Sequence, residues 1–327
     1  MAGRPTFIER LWYGRHPLSL LLAPLGWMYG GVAGMRRALY RFQVLPVTRV
    51  GVPVIVVGNI AVGGTGKTPL VIWLAGFLAA EGYRPAIVSR GYKGQARHWP
   101  QQVRPGSDPS QVGDEPVLMA QRASCPIAVD PNRLRGARAL IDNTHCDVII
   151  SDDGLQHYRL GRNIEIALID DVRRHGNGRC LPAGPLREFS SRLEQVDLVV
   201  ANGHGRRGEF SMQLSPGPAV RVADASVRCR VADLQAGPVH AVCGIGNPGR
   251  FFTLLKHLGF EIIEHPFADH HAFTAQEIDF DDGRTVIMTE KDAVKCSAFA
   301  QDHHWYLPVT AELPEAFASR LLRLLKT

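Results

Sequence analysis

The sequence predicts an α/β protein: a doubly wound, mostly parallel sheet, a smaller C-terminal α/β domain and an N-terminal membrane-associated helix. Three observations predict it. Short apolar runs alternate with helical periodicity along most of the 327 residues, the pattern of a parallel sheet with crossover helices. The run Val54-Ile55-Val56-Val57 passes directly into a glycine-rich loop and a helix start, Gly58 to Pro69. Residues 17–35 carry no charge and form the longest such apolar stretch, flanked by Arg4, Arg10 and Arg15 before and by Arg36, Arg37 and Arg41 after.

That N-terminal stretch is borderline for a spanning helix, which needs about 20 apolar residues, and Pro24 with four glycines argues against a simple span. On a helix, Leu18, Leu21, Leu22, Leu25, Met28 and Val32 form one stripe, and Ser19, Ala23, Gly26, Gly30 and Gly34 a small-residue stripe beside it. The reading adopted is a helix in the membrane interface with its arginines on anionic headgroups. The alternatives are a buried helix of a soluble domain and a cleaved signal, the latter at odds with a nucleotide loop that needs the cytoplasm.

The glycine loop follows. Gly63, Gly64 and Gly66 let successive N–H groups turn toward phosphate oxygens, and the helix starting near Thr68 adds its positive dipole end. With Thr65, Lys67 and Thr68 they make a P-loop: Lys67 for the β/γ phosphates and Thr68 for Mg²⁺. Ala61 stands where the usual pattern has its first glycine.

Beyond it, a helix is expected to Ala80, a strand at Pro85 to Ser89, and a long polar loop through Ser110. A helix then follows Gly113-Asp114-Glu115-Pro116, a strand Ile127 to Val129, a helix Asn132 to Asn143, and strands Asp147 to Ser151, Ile164 to Ile169 and Val196 to Val200. The polar, glycine-rich stretch Gly205 to Pro218 reads as a linker. After it come a strand Val239 to Cys243, a helix Gly249 to Leu258, a strand Thr285 to Met288 and a terminal leucine-rich helix. The expected divisions are 1–45, the membrane-associated helical segment; 46–205, the nucleotide-binding domain; and 206–327, the smaller unit closing the cleft.

Composition narrows the partners. A net charge of +6, from 37 Lys+Arg against 31 Asp+Glu, fits a phosphorylated substrate or an anionic membrane, and without a long basic run nucleic acid is the weakest choice. Six scattered cysteines read as reduced thiols.

Phosphoryl transfer is mainly positioning and charge neutralisation, so carboxylates for a metal and a guide for the nucleophile are required. Asp152 and Asp153, directly after an apolar strand, have Walker-B placement and are the Mg²⁺ candidates, with Gln156 and His157 one turn on. Asp114 and Glu115 are a second pair, fit for a base, a metal or plain helix N-terminal charge. Asp269-His270-His271 offers an imidazole and a carboxylate for proton transfer. Arg133 and Arg187 suit phosphate. Thr289-Glu290-Lys291-Asp292 looks superficially like a guanine-reading signature, but its lysine stands third instead of second, so ATP is the expected nucleotide.

Together these motifs resemble the tetraacyldisaccharide 4′-kinase family. The residues that carry the resemblance span nearly the whole chain: Val57-Gly58-Asn59 with Gly63 to Pro69, Ser89-Arg90-Gly91-Tyr92, Gly113-Asp114-Glu115-Pro116, Asp152-Asp153-Gly154-Leu155-Gln156-His157, Leu181 to Glu188, Gly244-Ile245-Gly246-Asn247-Pro248, Phe267-Ala268-Asp269-His270-His271 and Thr289 to Val294. The resemblance implies ATP- and Mg²⁺-dependent phosphorylation of the 4′-hydroxyl of a tetraacylated glucosamine disaccharide 1-phosphate at the cytoplasmic face of an inner membrane, with no stable protein partner. It further implies that Asp114 and His270 handle the proton, that Lys67 and Thr68 serve the phosphates and metal, and that Asp152 and Asp153 lie near Mg²⁺. Glu115 is a further metal candidate, and Ser89, Arg90, Arg133, Gln156, His157 and Arg187 are the expected substrate-binding residues.

Overall fold

The structure, a computed structural model, describes residues 7–326; Arg4 of the N-terminal arginine group lies outside them. In chain order the strands are β1 (Val54–Gly58), β2 (Pro85–Ser89), β3 (Gln101–Val103), β4 (Ile127–Val129), β5 (Val148–Ser151), β6 (Ile164–Asp170), β7 (Leu198–Asn202), β8 (Phe210–Pro216), β9 (Ala219–Arg221), β10 (Arg228–Cys229), β11 (Val239–Cys243), β12 (Ile262–Pro266), β13 (Val286–Thr289), β14 (His304–Leu307) and β15 (Val309–Glu312). The helices are α1 (Phe7–Tyr13), α2 (Leu18–Leu21), α3 (Ala23–Arg41), α4 (Lys67–Ala80), α5 (Pro109–Val112), α6 (Asp114–Arg122), α7 (Arg133–Asn143), α8 (Pro248–His257), α9 (Ala275–Ile278), α10 (Glu290–Cys296) and α11 (Glu315–Leu325).

Two sheets result. The larger runs β15-β8-β7-β6-β1-β5-β2-β4-β3, parallel from β8 to β4, with antiparallel β3 and β15 closing its edges. The smaller runs β10-β9-β14-β13-β11-β12 with four parallel strands. Helices on both faces explain why β1, β2, β4 and β5 are buried along their whole length. One face of the larger sheet packs Ile55, Val57 and Ile150 against Leu70, Leu74 and Leu78 of α4; the other packs Val54, Val56 and Ile149 against Leu134, Ala137 and Leu140 of α7. Strand order reverses at β1, with β5 on one side and β6 on the other, so the crevice at the carboxyl ends of these strands is the place for a ligand.

Three sequence expectations change. The supposed linker contains β8, because Phe210, Met212 and Leu214 alternate with polar residues and turn to the core. The polar loop before Ser110 contains β3, paired with β4. The terminal helix α11 packs through Phe317 and Leu321 on the larger sheet's core, Phe317 meeting Trp73 and Phe210 edge-on. Residues 210–216 and 309–325, assigned by sequence to the C-terminal unit, therefore join the larger sheet.

The N-terminal segment is helical, broken after Leu21, with Pro24 in the first turn of α3, where its missing N–H is of no consequence. Among the described residues no helix is long and apolar enough to cross a membrane. The small-residue stripe turns inward. Ser19, Ala23, Gly26 and Gly30 are buried, and a Cβ on Gly26 would stand 2.8 Å from the Cys180 carbonyl oxygen. The large apolar stripe faces out, with Leu21 76%, Met28 63% and Val32 55% exposed.

Candidate active site

The glycine loop is set by its backbone. Gly63 and Gly66 have φ of +117° and +93°, where a side chain is strained, whereas Ala61 is buried and bridges to Leu186 without positive φ. Alanine is therefore acceptable at the position where the usual pattern has glycine. Asn59, at the end of β1, donates to Gly63 O (3.4 Å) and Thr65 Oγ1 (3.3 Å), and Asn202 at the end of β7 donates to Thr65 O (3.0 Å). Lys67 Nζ rests 3.4 Å from Asn59 Oδ1 and 3.5 Å from Asp153 Oδ1.

Beside the loop, β5 ends in the two aspartates, which have opposite environments. Asp152 is buried; burial and the nearby carboxylates of Glu115 and Asp153 push it up to about 6, although Lys67 and the Ser89 hydroxyl, 2.8 Å from Oδ2, act the other way. Its Oδ1 is buried without a hydrogen-bond partner. Asp153, at φ +45°, is also pushed upward by burial, but Lys67, Arg187 and Arg133 outweigh this and hold it well below the usual carboxylate range. Arg187 Nη1 donates to both of its oxygens at 3.1 and 3.3 Å. Arg133, itself buried, donates to the carbonyls of Asp152 (3.3 Å) and Asp153 (2.9 Å). Ser89, Arg133 and Arg187 thus hold the aspartate turn.

The opposite wall comes from the smaller sheet. His270, at φ +59°, places Nδ1 3.0 and 3.1 Å from the Asp114 carboxylate. Burial pushes Asp114 up, but the hydrogen bond from His270 and the charges of Lys291 and His270 prevail and lower it to about 2. Nδ1 thus faces the ionised carboxylate, and Nε2 lies 3.2 Å from Lys291 Nζ. Lys291 also pairs with Glu115 (2.9 Å) and Asp269 (3.3 Å). His271 turns away to Glu277, 2.9 Å.

One cleft of about 1420 Å³ is lined by Gly63, Gly64, Thr65, Gly66, Lys67, Thr68, Ser89, Arg90, Asp114, Glu115, Arg133, Asp152, Asp153, Gln156, His157, Arg187 and His270. Every site residue expected from the sequence is therefore brought together. Arg90 is exposed. Gln156 Nε2 donates to Asn59 O and Glu188 Oε1 at 3.1 and 2.9 Å. His157 is lowered to about 4 by burial and by Arg133 and Arg162. Sequence reasoning gave no role to Asn59, Asn202 or Lys291, although Asn59 follows β1, Asn202 ends β7 and Lys291 stands in the first turn of α10. It also missed a latch between the lobes. Arg250 of α8 donates to Asp170 Oδ2 (3.0 Å) and Asn202 O (2.7 Å), and Arg173 to Gly246 O (2.6 Å).

A cleft with a lysine and a glycine loop on one wall, and a carboxylate–imidazole pair across from them, supplies what phosphoryl transfer to a hydroxyl requires, so its class is that of a phosphotransferase. The particular family is equally plain: the chain belongs to the tetraacyldisaccharide-1-P 4′-kinases, whose family model matches residues 18–326. It is 48% identical over 326 residues to the tetraacyldisaccharide 4′-kinase of Nitrosococcus oceani, covering 100% of this chain and 96% of that one. It is 52% identical to that of Alkalilimnicola ehrlichii, covering 98% and 96%. A crystal structure of "apo" form LpxK from Aquifex aeolicus in complex with ATP superposes with a TM-score of 0.79 at 27% identity, covering 94% of this chain and 99% of that one.

Proposed function

We propose that this chain transfers the γ-phosphate of ATP to the 4′-hydroxyl of a tetraacylated glucosamine disaccharide 1-phosphate, at the cytoplasmic face of an inner membrane. The observation that carries the reading is that Lys67, Thr68 and the Asp114–His270 pair line one cleft. The loop Gly63 to Thr68 acts as a P-loop: its N–H groups cradle phosphates, and Lys67 leaves Asp153 to follow the transferring group. The acceptor hydroxyl gives up its proton to the Asp114–His270 pair through a carboxylate oxygen of Asp114, since the two ring nitrogens of His270 already face Asp114 and Lys291.

A divalent cation fits beside the loop, since the buried Asp152 Oδ1 lacks a partner, and burial with carboxylate crowding raises this acid. Asp152 and Thr68 would hold Mg²⁺, with Asp153 and Glu115 nearby and engaged by Arg187 and Lys291; the ion when bound would neutralise phosphate charge. Among the described residues no three His, Cys, Asp or Glu side chains form a metal cage of their own, as suits an ion that keeps phosphate and water ligands.

The exposed apolar face of α3 supports the membrane reading, because an acceptor with four acyl chains stays in the bilayer. Tyr29 and Arg36 of α3 line the cleft itself, so a helix in the interface brings the cleft to the headgroups. The test is a transfer assay with labelled ATP and a panel of acceptors. A labelled lipid disaccharide from the wild-type protein, and a loss of several orders of magnitude in a folded Lys67→Ala protein, are expected; near-normal transfer by Lys67→Ala would rule the assignment out.

A further inference from the structure

A second cavity, of about 510 Å³, opens at the C-terminal end of α3 and shares no lining residue with the catalytic cleft. By the helical period, Ala23, Gly26, Gly30, Arg37 and Arg41 fall on one side of α3. The side that docks on the protein through small residues thus ends by offering two arginines to this cavity.

Five guanidinium groups line it, those of Arg37, Arg41, Arg49, Arg162 and Arg192, against the single carboxylate of Glu165. That carboxylate is already engaged. Glu165 Oε1 accepts from Arg162 (2.9 Å) and Arg192 (2.6 Å). Behind them Glu188 accepts the Tyr158 hydroxyl (2.5 Å) and pairs with Arg37 at 3.6 Å. Arg41 and Arg49 are exposed, and no carboxylate among the described residues lies within ion-pair range of either. The dipole of α3 favours a cation at Arg41, but it gives no account of Arg49, which lies beyond the helix. Around the cavity the outer surface is apolar: Phe42 and Val44 are 75% and 68% exposed, and Val47, 42% exposed, lines the cavity. Unpaired guanidinium groups beside exposed apolar side chains suit a phosphate attached to a bilayer.

We propose that this cavity is a second phosphate site, which takes the headgroup of an anionic phospholipid and fixes how the enzyme sits on the membrane. The proposal rests on the membrane reading of α3, and vesicle composition separates the two. The full chain is sedimented with phosphatidylcholine vesicles and with mixed phosphatidylcholine–phosphatidylglycerol vesicles, alongside Arg41→Gln/Arg49→Gln and the control Arg320→Gln/Arg323→Gln, whose residues are exposed on α11 outside the cavity. The wild-type protein should prefer mixed vesicles, and the Arg41/Arg49 variant should lose about tenfold in binding to them. It should keep its phosphatidylcholine binding and its turnover of detergent-dispersed acceptor. An equal loss in the control would make the effect diffuse charge and overturn the site. A raised KM for detergent-dispersed acceptor would assign the cavity to the acceptor instead, and loss of the preference on adding inorganic phosphate at constant ionic strength would assign it to free phosphate. A wild-type protein indifferent to composition would defeat the proposal alone, and one that binds no vesicles would defeat the membrane reading with it.

Discussion

Asp152 and Asp114 show how one sheet edge tunes two carboxylates in opposite directions. For Asp152 the folded protein binds the proton more tightly than the unfolded chain does, with the acid raised from 3.8 to about 6. Its ionisation therefore costs stability as pH rises through that interval, and the cost is fully present above about pH 6. Asp152→Asn should raise the thermal midpoint at pH 8 by a few degrees while removing most Mg²⁺-dependent turnover, as read by calorimetry and a transfer assay; an unchanged or lowered midpoint at pH 8 would contradict the strain assigned to this carboxylate. In the wild-type protein the apparent Mg²⁺ affinity should fall as pH drops through about 6. Asp114, lowered to about 2, contributes stability above 3.8 that is lost as pH falls through about 2. If Asp114 and His270 act as one unit, each alanine variant should lose on the order of 10²–10⁴ in kcat, and the double variant little more than the worse single one. Fully multiplicative losses would separate their roles. These residues were legible because each sits in a run of chemistry-bearing residues, after a strand for Asp152 and His270 and at a helix start for Asp114. The choice of His270 over His271 was open on the residues alone and came from the family resemblance; the geometry agrees, because a positive-φ turn sends one imidazole to Asp114 and the other to Glu277.

The element with two faces is α3. Its sequence shows a large apolar stripe and a small-residue stripe but not which one meets the protein, since either could dock. The structure buries the small one, where Gly26 and Gly30 let the helix approach Cys180, Ala183 and Phe189 closely. Gly26→Val should therefore destabilise the fold by about 1–3 kcal/mol, measured by denaturant unfolding. Leu25→Ser/Met28→Ser should leave stability nearly unchanged and weaken vesicle sedimentation. Equal unfolding midpoints for Gly26→Val and wild type would mean that α3 does not dock as described. β8 was missed for the converse reason: its alternation is short and sits among glycines and polar residues, so that composition hid the period.

Across the whole molecule, the cleft exists only because the lobes meet. Gly246 presses on the glycine loop so closely that a Cβ there would stand 2.6 Å from Gly64 N, and Arg250 grips the ends of β6 and β7. Such long-range meetings leave no local pattern, which is why the latch was invisible in the sequence while the core strands of the larger sheet were readable and, of the smaller one, only β11 and β13. Arg250→Ala should loosen closure, raising KM for nucleotide severalfold with little change in thermal stability; an unchanged KM would deny the latch a role in closure. The central claim is transfer of one phosphoryl group to one hydroxyl, and it is tested most directly by giving the wild-type protein γ-labelled ATP with the tetraacylated disaccharide 1-phosphate and, separately, its 4′-deoxy analogue. The account predicts label on the first acceptor at the 4′ position and none on the second; equal labelling of the analogue, or release of label only to water, would contradict it.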